Sequence, residues 1–286
     1  MARWNRIGSR GNVEDRRGAG PRVAGGVGGL GIVGVLIYLL LSGLGGGGGG
    51  FEDVLGELTT GQAPPQQQVD ASEFEGADDY QVFVETVLGS NDDLWTEVFA
   101  EGGLEYTPAR LVLFRDRTES ACGGADARVG PHYCPLDETI YLDESFFDEL
   151  QSRFGAEGGD VAEAYVIAHE VAHHVQNELD IMGEVQQLQQ QSSQDERNQL
   201  SVALELQADC LAGVWANSIR DAGVFLPGEI DEAMDAAAAV GDDRIQETVQ
   251  GRVTPENWTH GSSEERVRWF TVGYDGGDPS RCDTFS

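Results

Sequence analysis

The sequence predicts an α+β fold, mainly helical, with a small sheet early in the globular domain. Two observations carry this. Beyond residue 160 almost every segment repeats its apolar residues at helical spacing, whereas two short apolar runs before it have the length of strands. A chain of 286 residues with 40% hydrophobic content is long enough for one sizeable domain with flanking segments.

The domain is expected over 77–286. Tyr80, Phe83, Val84 and Val87 share one helical face, as do Leu94, Val98 and Phe99. Leu111-Val112-Leu113-Phe114 suits a buried strand. Residues 118–136 read as a Gly-rich loop, and Thr139-Ile140-Tyr141-Leu142 as a second strand. Asp143 can cap a helix holding Phe146, Phe147 and Leu150. Helices are then expected over about 160–178, 195–220, 229–250 and 262–272.

The N-terminal quarter reads differently. Residues 1–22 are basic, polar and aperiodic, which predicts a disordered cytoplasmic tail. Residues 23–44 are uncharged, apolar and Gly-rich, and about 20 such residues cross a bilayer as a helix. The arginines precede this run, so the positive-inside rule predicts a single-pass protein with its N-terminus in the cytoplasm and its domain outside, contacting lipid through 23–44. A cleaved signal peptide is the alternative. Residues 45–76, with six consecutive glycines and a Pro/Gln-rich stretch, read as a linker, with a short helix near 51–58.

The formal net charge is −32. Residues 1–50 hold six arginines and two acids, the remainder 12 arginines and 48 acids, and there is no lysine. A surface this acidic repels phosphate backbones, which excludes a nucleic-acid partner. The four cysteines are Cys122, Cys134, Cys210 and Cys282. An even count in a chain that leaves the cytoplasm suggests two disulfides, Cys122 with Cys134 as the local loop and Cys210 with Cys282. Four reduced, buried thiols are the alternative.

The chemistry is concentrated in His169-Glu170-Val171-Ala172-His173. His169 and His173 stand at i and i+4, so both imidazoles project from one side of a helix and can reach a single Zn²⁺. Glu170 sits beside the metal without occupying it, placed to take a proton from a water as general base. His174 lies about 100° around the helix and should point elsewhere. A catalytic zinc needs a third protein ligand and an open position. In Glu205-Leu206-Gln207-Ala208-Asp209, again an i, i+4 pair, Glu205 can bind the metal and Asp209 can accept a hydrogen bond from the far nitrogen of His169. The alternative is that both acids face solvent. Cys210 is a further candidate ligand, set against its expected disulfide. His260, in Thr259-His260-Gly261-Ser262-Ser263, can stabilise an oxyanion; a surface histidine at a helix entry is the other reading.

With these residues in place, the chain resembles the bacterial neutral zinc metallopeptidase family. The matching blocks include Asn12-Val13-Glu14-Asp15-Arg16-Arg17-Gly18, Tyr133-Cys134-Pro135, and Ala164 through Gln176. They continue with Glu205 through Trp215, Gly241-Asp242-Asp243-Arg244-Ile245, Thr259-His260-Gly261-Ser262 and Cys282-Asp283-Thr284-Phe285. Ala172 stands where the family has glycine; both are small. The resemblance implies a single-pass, signal-anchored zinc peptidase, and more distantly a gluzincin-like domain whose sheet precedes the zinc helix. In gluzincins a strand before that helix lines the cleft, so by analogy Thr139–Leu142 would hold an extended peptide by strand addition.

The expected function is therefore a membrane-anchored, zinc-dependent endopeptidase with one Zn²⁺ per chain and a peptide or protein as substrate. Two other classes are a catalytically inactive binding module with structural or absent zinc, and a metal-dependent hydrolase of non-peptide amides.

Overall fold

A computed structural model of the chain describes residues 1–8, 10–18, 77–126 and 130–286. The expected membrane segment 23–44 and linker 45–76, with its short helix, lie outside the described residues. No helix among the described residues is long and apolar enough to cross a membrane.

Strands β1 (Asn12–Asp15), β2 (Arg110–Leu113), β5 (His132–Cys134) and β6 (Thr139–Leu142) form one sheet in the order β1-β2-β6-β5. β1 and β6 run parallel to β2, whereas β5 runs antiparallel to β6. β3 (Arg117–Ser120) and β4 (Gly123–Asp126) make a separate hairpin within what reads as a glycine-rich loop. Its glycines leave few side chains to pack, so strand periodicity is absent there. The helices are α1 (Ala77–Glu101), α2 (Ser145–Phe154), α3 (Asp160–Glu178), α4 (Ile181–Gln191), α5 (Gln194–Ser218), α6 (Ile230–Ala239), α7 (Asp242–Gln250) and α8 (Ser263–Gly276). The mainly helical α+β class is as the sequence predicts.

α3 is buried continuously from Ala164 to Gln176, the mark of a helix enclosed on all sides. Asp160 and Glu163 in its first turn suit the positive end of its dipole. α5 and α8 both begin with a capping box, Ser193 with Glu196 and Ser262 with Glu265. These two helices touch backbone to backbone. A Cβ at Gly213 would lie 2.1 Å from Phe270 O, and one at Gly273 1.9 Å from Cys210 O. No other residue type allows that approach, which brings Arg266 on α8 against α5.

Three expectations are corrected. Residues 1–8 and 10–18 are not a disordered tail: Val13 pairs with Leu111 in the sheet, and the Trp4 ring lies 5.3 Å from Phe83 and 6.5 Å from Trp215. Those contacts are with residues far along the chain, so no local pattern announces them. The single helix over 229–250 is two, α6 and α7, divided at Gly241, where a Cβ would lie 2.5 Å from Ser263 N. Thr139–Leu142 is an inner strand, paired with β2 on one side and β5 on the other, so it has no edge to offer a substrate.

Both expected disulfides are present, Cys122–Cys134 and Cys210–Cys282. The second ties α5 to the C-terminal segment and removes Cys210 from the possible metal ligands.

Candidate metal centre

His169 and His173 project from α3 toward Glu205 on α5. One ligand atom from each lies within 4.8 Å of the others, and all three residues are buried. His169 Nε2 is 3.2 Å from Glu205 Oε2, and His173 Nε2 is 3.5 Å from Glu205 Oε1. Zinc bonds of about 2.0–2.1 Å in a tetrahedron set neighbouring ligand atoms about 3.3 Å apart. The two observed separations bracket that figure.

The far nitrogens are also engaged. His169 Nδ1 donates to Asp209 Oδ1 at 2.9 Å, and His173 Nδ1 donates to Gln176 Oε1 at 2.8 Å. The Gln176 amide is oriented by donating through Nε2 to Leu204 O and Gln207 Oε1. With both Nδ1 atoms donating, each Nε2 presents its lone pair to the shared point.

A model of the family described as "Putative neutral zinc metallopeptidase" matches residues 2–285. The chain belongs to this zinc metallopeptidase family. It is 44% identical over 285 residues to Uncharacterized protein YpfJ of Escherichia coli (strain K12), covering 99% of this chain and 98% of that one. It is 48% identical over 191 residues to Uncharacterized protein Rv2575 of Mycobacterium tuberculosis (strain ATCC 25618 / H37Rv), covering 63% and 64% of the two chains. No solved structure matches.

The family implies zinc, and the residues fit it. The buried site holds the carboxylates Glu170, Glu205 and Asp209 against one guanidinium, Arg266. That formal surplus of two negative charges suits a divalent cation. Burial alone would lower the His169 pKa, but its hydrogen bonds to Asp209 and Glu205 outweigh this and raise it to about 9. Burial likewise opposes ionisation of Glu205, yet the nearby His260 and His173 hold its pKa well below the carboxylate range. Metal and protons compete for the same imidazole nitrogens. Among the described residues, Glu205 Oε1 and His260 Nε2 are buried without a hydrogen-bond partner. Among the described residues, the ligand-atom group comprises His169, His173 and Glu205. Three protein ligands are the number that catalytic zinc sites use, structural sites having four.

Sequence reasoning missed much of the supporting shell. Arg266 is buried and donates to Asp209 through Nε at 2.7 Å and Nη2 at 2.9 Å. Tyr165 donates its hydroxyl to Asp209 Oδ1 and accepts from Arg266 Nη2 at 3.2 Å. Gln176 stands three residues after His173, a spacing that could have disclosed it. His132 stacks on Tyr141 at 5.4 Å; burial lowers its pKa, and the charge of nearby Glu170 opposes the shift. His174 turns away from the metal ligands, between Tyr133 OH and Thr107 O.

Proposed function

We propose that this protein is a zinc-dependent endopeptidase in which Glu170 is the general base. The observation that carries the reading is the His169, His173 and Glu205 convergence, with each histidine oriented from behind and one coordination position left open. Bound zinc would polarise the scissile carbonyl and acidify a water. Glu170 takes a proton from that water and passes it to the leaving amine nitrogen, so one water is added across the broken C–N bond. Asp209 holds the His169 ring. His260, whose Nε2 is buried without a partner and whose charge acts on Glu205, donates to the oxygen on which negative charge develops.

Substrate binding falls to β5 rather than β6. β5 ends the sheet order and contains His132, close to Glu170. Its outer edge can take an extended peptide as an added strand, with residues on both sides of the scissile bond. The two disulfides support a domain working in an oxidising compartment outside the cytoplasm. The apolar run 23–44 supports attachment to lipid.

The test is Glu170→Gln. The variant should retain one zinc per chain and lose peptide hydrolysis by roughly 10²–10⁴-fold. Cleavage of a peptide library at the wild-type rate would overturn the mechanism. Zinc bound with no wild-type cleavage of any peptide would favour a binding module, and cleavage restricted to non-peptide amides a different hydrolase.

A further inference from the structure

We propose that Asp242 is a positioning residue that aims His260 at the open side of the metal centre, an inference that rests on the peptidase reading above. Asp242 is the first residue of α7 and is fully buried. Its Oδ2 accepts three successive backbone N–H groups, from Thr259 at 2.8 Å, His260 at 2.6 Å and Gly261 at 3.0 Å. The return bond runs from Asp242 N to Gly261 O at 2.9 Å. The neighbouring Asp243 Oδ1 accepts from Ser263 N and Oγ at 2.7 and 2.8 Å. The loop carrying His260 is thus stapled to the start of α7 by two adjacent carboxylates.

Asp242 Oδ1 has no hydrogen-bond partner among the described residues and lies 3.8 Å from His260 Nδ1. His260 Nδ1 also lies 3.1 Å from Thr259 Oγ1. The carboxylate on this side of the ring favours a proton on Nδ1, and the stapled backbone fixes the point from which the ring projects. Nε2 is left buried and unpartnered, and the ring is near enough to Glu205 for its charge to act there.

The test is a double-mutant cycle with a spectroscopic arm. Asp242→Asn keeps an oxygen for the three N–H groups but removes the negative charge beside Nδ1. We expect kcat to fall about 10-fold with KM nearly unchanged, and no further fall when the change is made in His260→Ala. Equal losses in both backgrounds would overturn the proposal. The ¹⁵N shifts of the His260 ring, read in the zinc-free wild type, should show a protonated Nδ1. An unprotonated Nδ1 overturns the proposal whether or not any variant folds. If wild type cleaves no peptide, the peptidase reading fails on its own while the ring shifts still judge the role of Asp242.

A separate set of contacts carries a second inference. We infer that residues 1–18 and the 77–286 domain lie on the same side of any membrane. Trp4 Nε1 and Ala2 N both donate to Asp160 Oδ2, at 2.7 and 2.8 Å, at the start of the zinc helix. Gly11 N donates to Glu85 O at 2.7 Å, and Arg17 Nη1 to Glu144 Oε2 at 2.8 Å. A Cβ on Gly89 would lie 2.5 Å from Arg10 N, so arm and α1 meet at backbone distance. One crossing by residues 23–44 would part β1 from β2 across the bilayer. Three of the six arginines behind the positive-inside expectation are moreover already paired: Arg10 with Glu85, Arg16 with Glu14, and Arg17 with Asp15 and Glu144.

The four native cysteines are all in disulfides, so a single introduced thiol reports its own location. Gly8 and Gly124 have open space where a side chain would stand. In cells expressing the full chain, Gly8→Cys and Gly124→Cys should react with a membrane-impermeant maleimide under the same condition, both before or both only after permeabilisation. Opposite accessibility would overturn the inference.

Discussion

Two fully buried aspartates stand behind histidines of this site, and they are held in opposite ways. Asp209, behind His169, uses both oxygens on side chains: His169, the Tyr165 hydroxyl and both arms of the Arg266 fork. Asp242, behind His260, spends one oxygen on three backbone N–H groups and leaves the other without a hydrogen bond. The first arrangement anchors a charge and locks an imidazole of the candidate metal site with its Nε2 turned to the other ligand atoms. The second anchors a loop and keeps a carboxylate oxygen beside an imidazole that is not among the ligands. Under the proposed function, the difference separates a residue that would hold the metal from one that would meet the substrate.

The largest expected effect comes from stripping Asp209 of its cation. Burial opposes the ionised form of Asp209, but Arg266 and His169 outweigh it and hold the pKa at about 2. Arg266→Met keeps comparable volume and leaves the buried carboxylate without its guanidinium. Breaking a buried pair from one side costs about 3–5 kcal/mol. Denaturant unfolding of the zinc-free protein at neutral pH should show a loss of that size. A loss below about 1 kcal/mol would mean that Asp209 is not anchored by charge, and the contrast with Asp242 would fall.

The chain announces the candidate metal ligands more clearly than their support. His169, His173, Glu205 and Asp209 are legible because i, i+4 pairs on helices bring side chains together through local geometry alone. Arg266 is not, because an arginine on a helix reads as solvated. Only the backbone contact at Gly213 and Gly273, between segments far apart in sequence, turns it inward. The same limit hides the N-terminal strand. Val13 is the one apolar residue in Asn12–Asp15, so no alternation marks it, and its partner lies almost a hundred residues away. The break at Gly241 follows from the close passage of Ser263, again a long-range contact. Helices and their capping boxes are written in neighbouring residues, whereas sheet edges and buried ion pairs are not.

The smallest expected effect concerns a third aspartate, which has neither the cation of Asp209 nor the backbone cradle of Asp242. Asp92 accepts from the Tyr106 hydroxyl at 3.1 Å and from Ala109 N at 3.3 Å, both through Oδ1. Burial pushes its pKa up to about 7, against the opposing pull of those two hydrogen bonds. An unfolded chain releases this proton near pH ~3.9. Between about pH 4 and pH 7 the folded state therefore holds a proton that the unfolded state has lost, so stability falls as pH rises through that window and levels off above it. Asp92→Asn retains the Oδ1 acceptor and removes the titration. Because the side chain is partly exposed, water relieves some of the penalty, and the expected gain over wild type is about 1–2 kcal/mol at pH 8 and near zero at pH 4. Urea midpoints at the two pH values measure this directly, since every other titrating group cancels in the difference. A gain that is the same at both pH values would show that Asp92 titrates as an ordinary carboxylate. The neutral donors of Tyr106 and Ala109 would then suffice to hold a buried charge, and a guanidinium partner would no longer be what distinguishes Asp209.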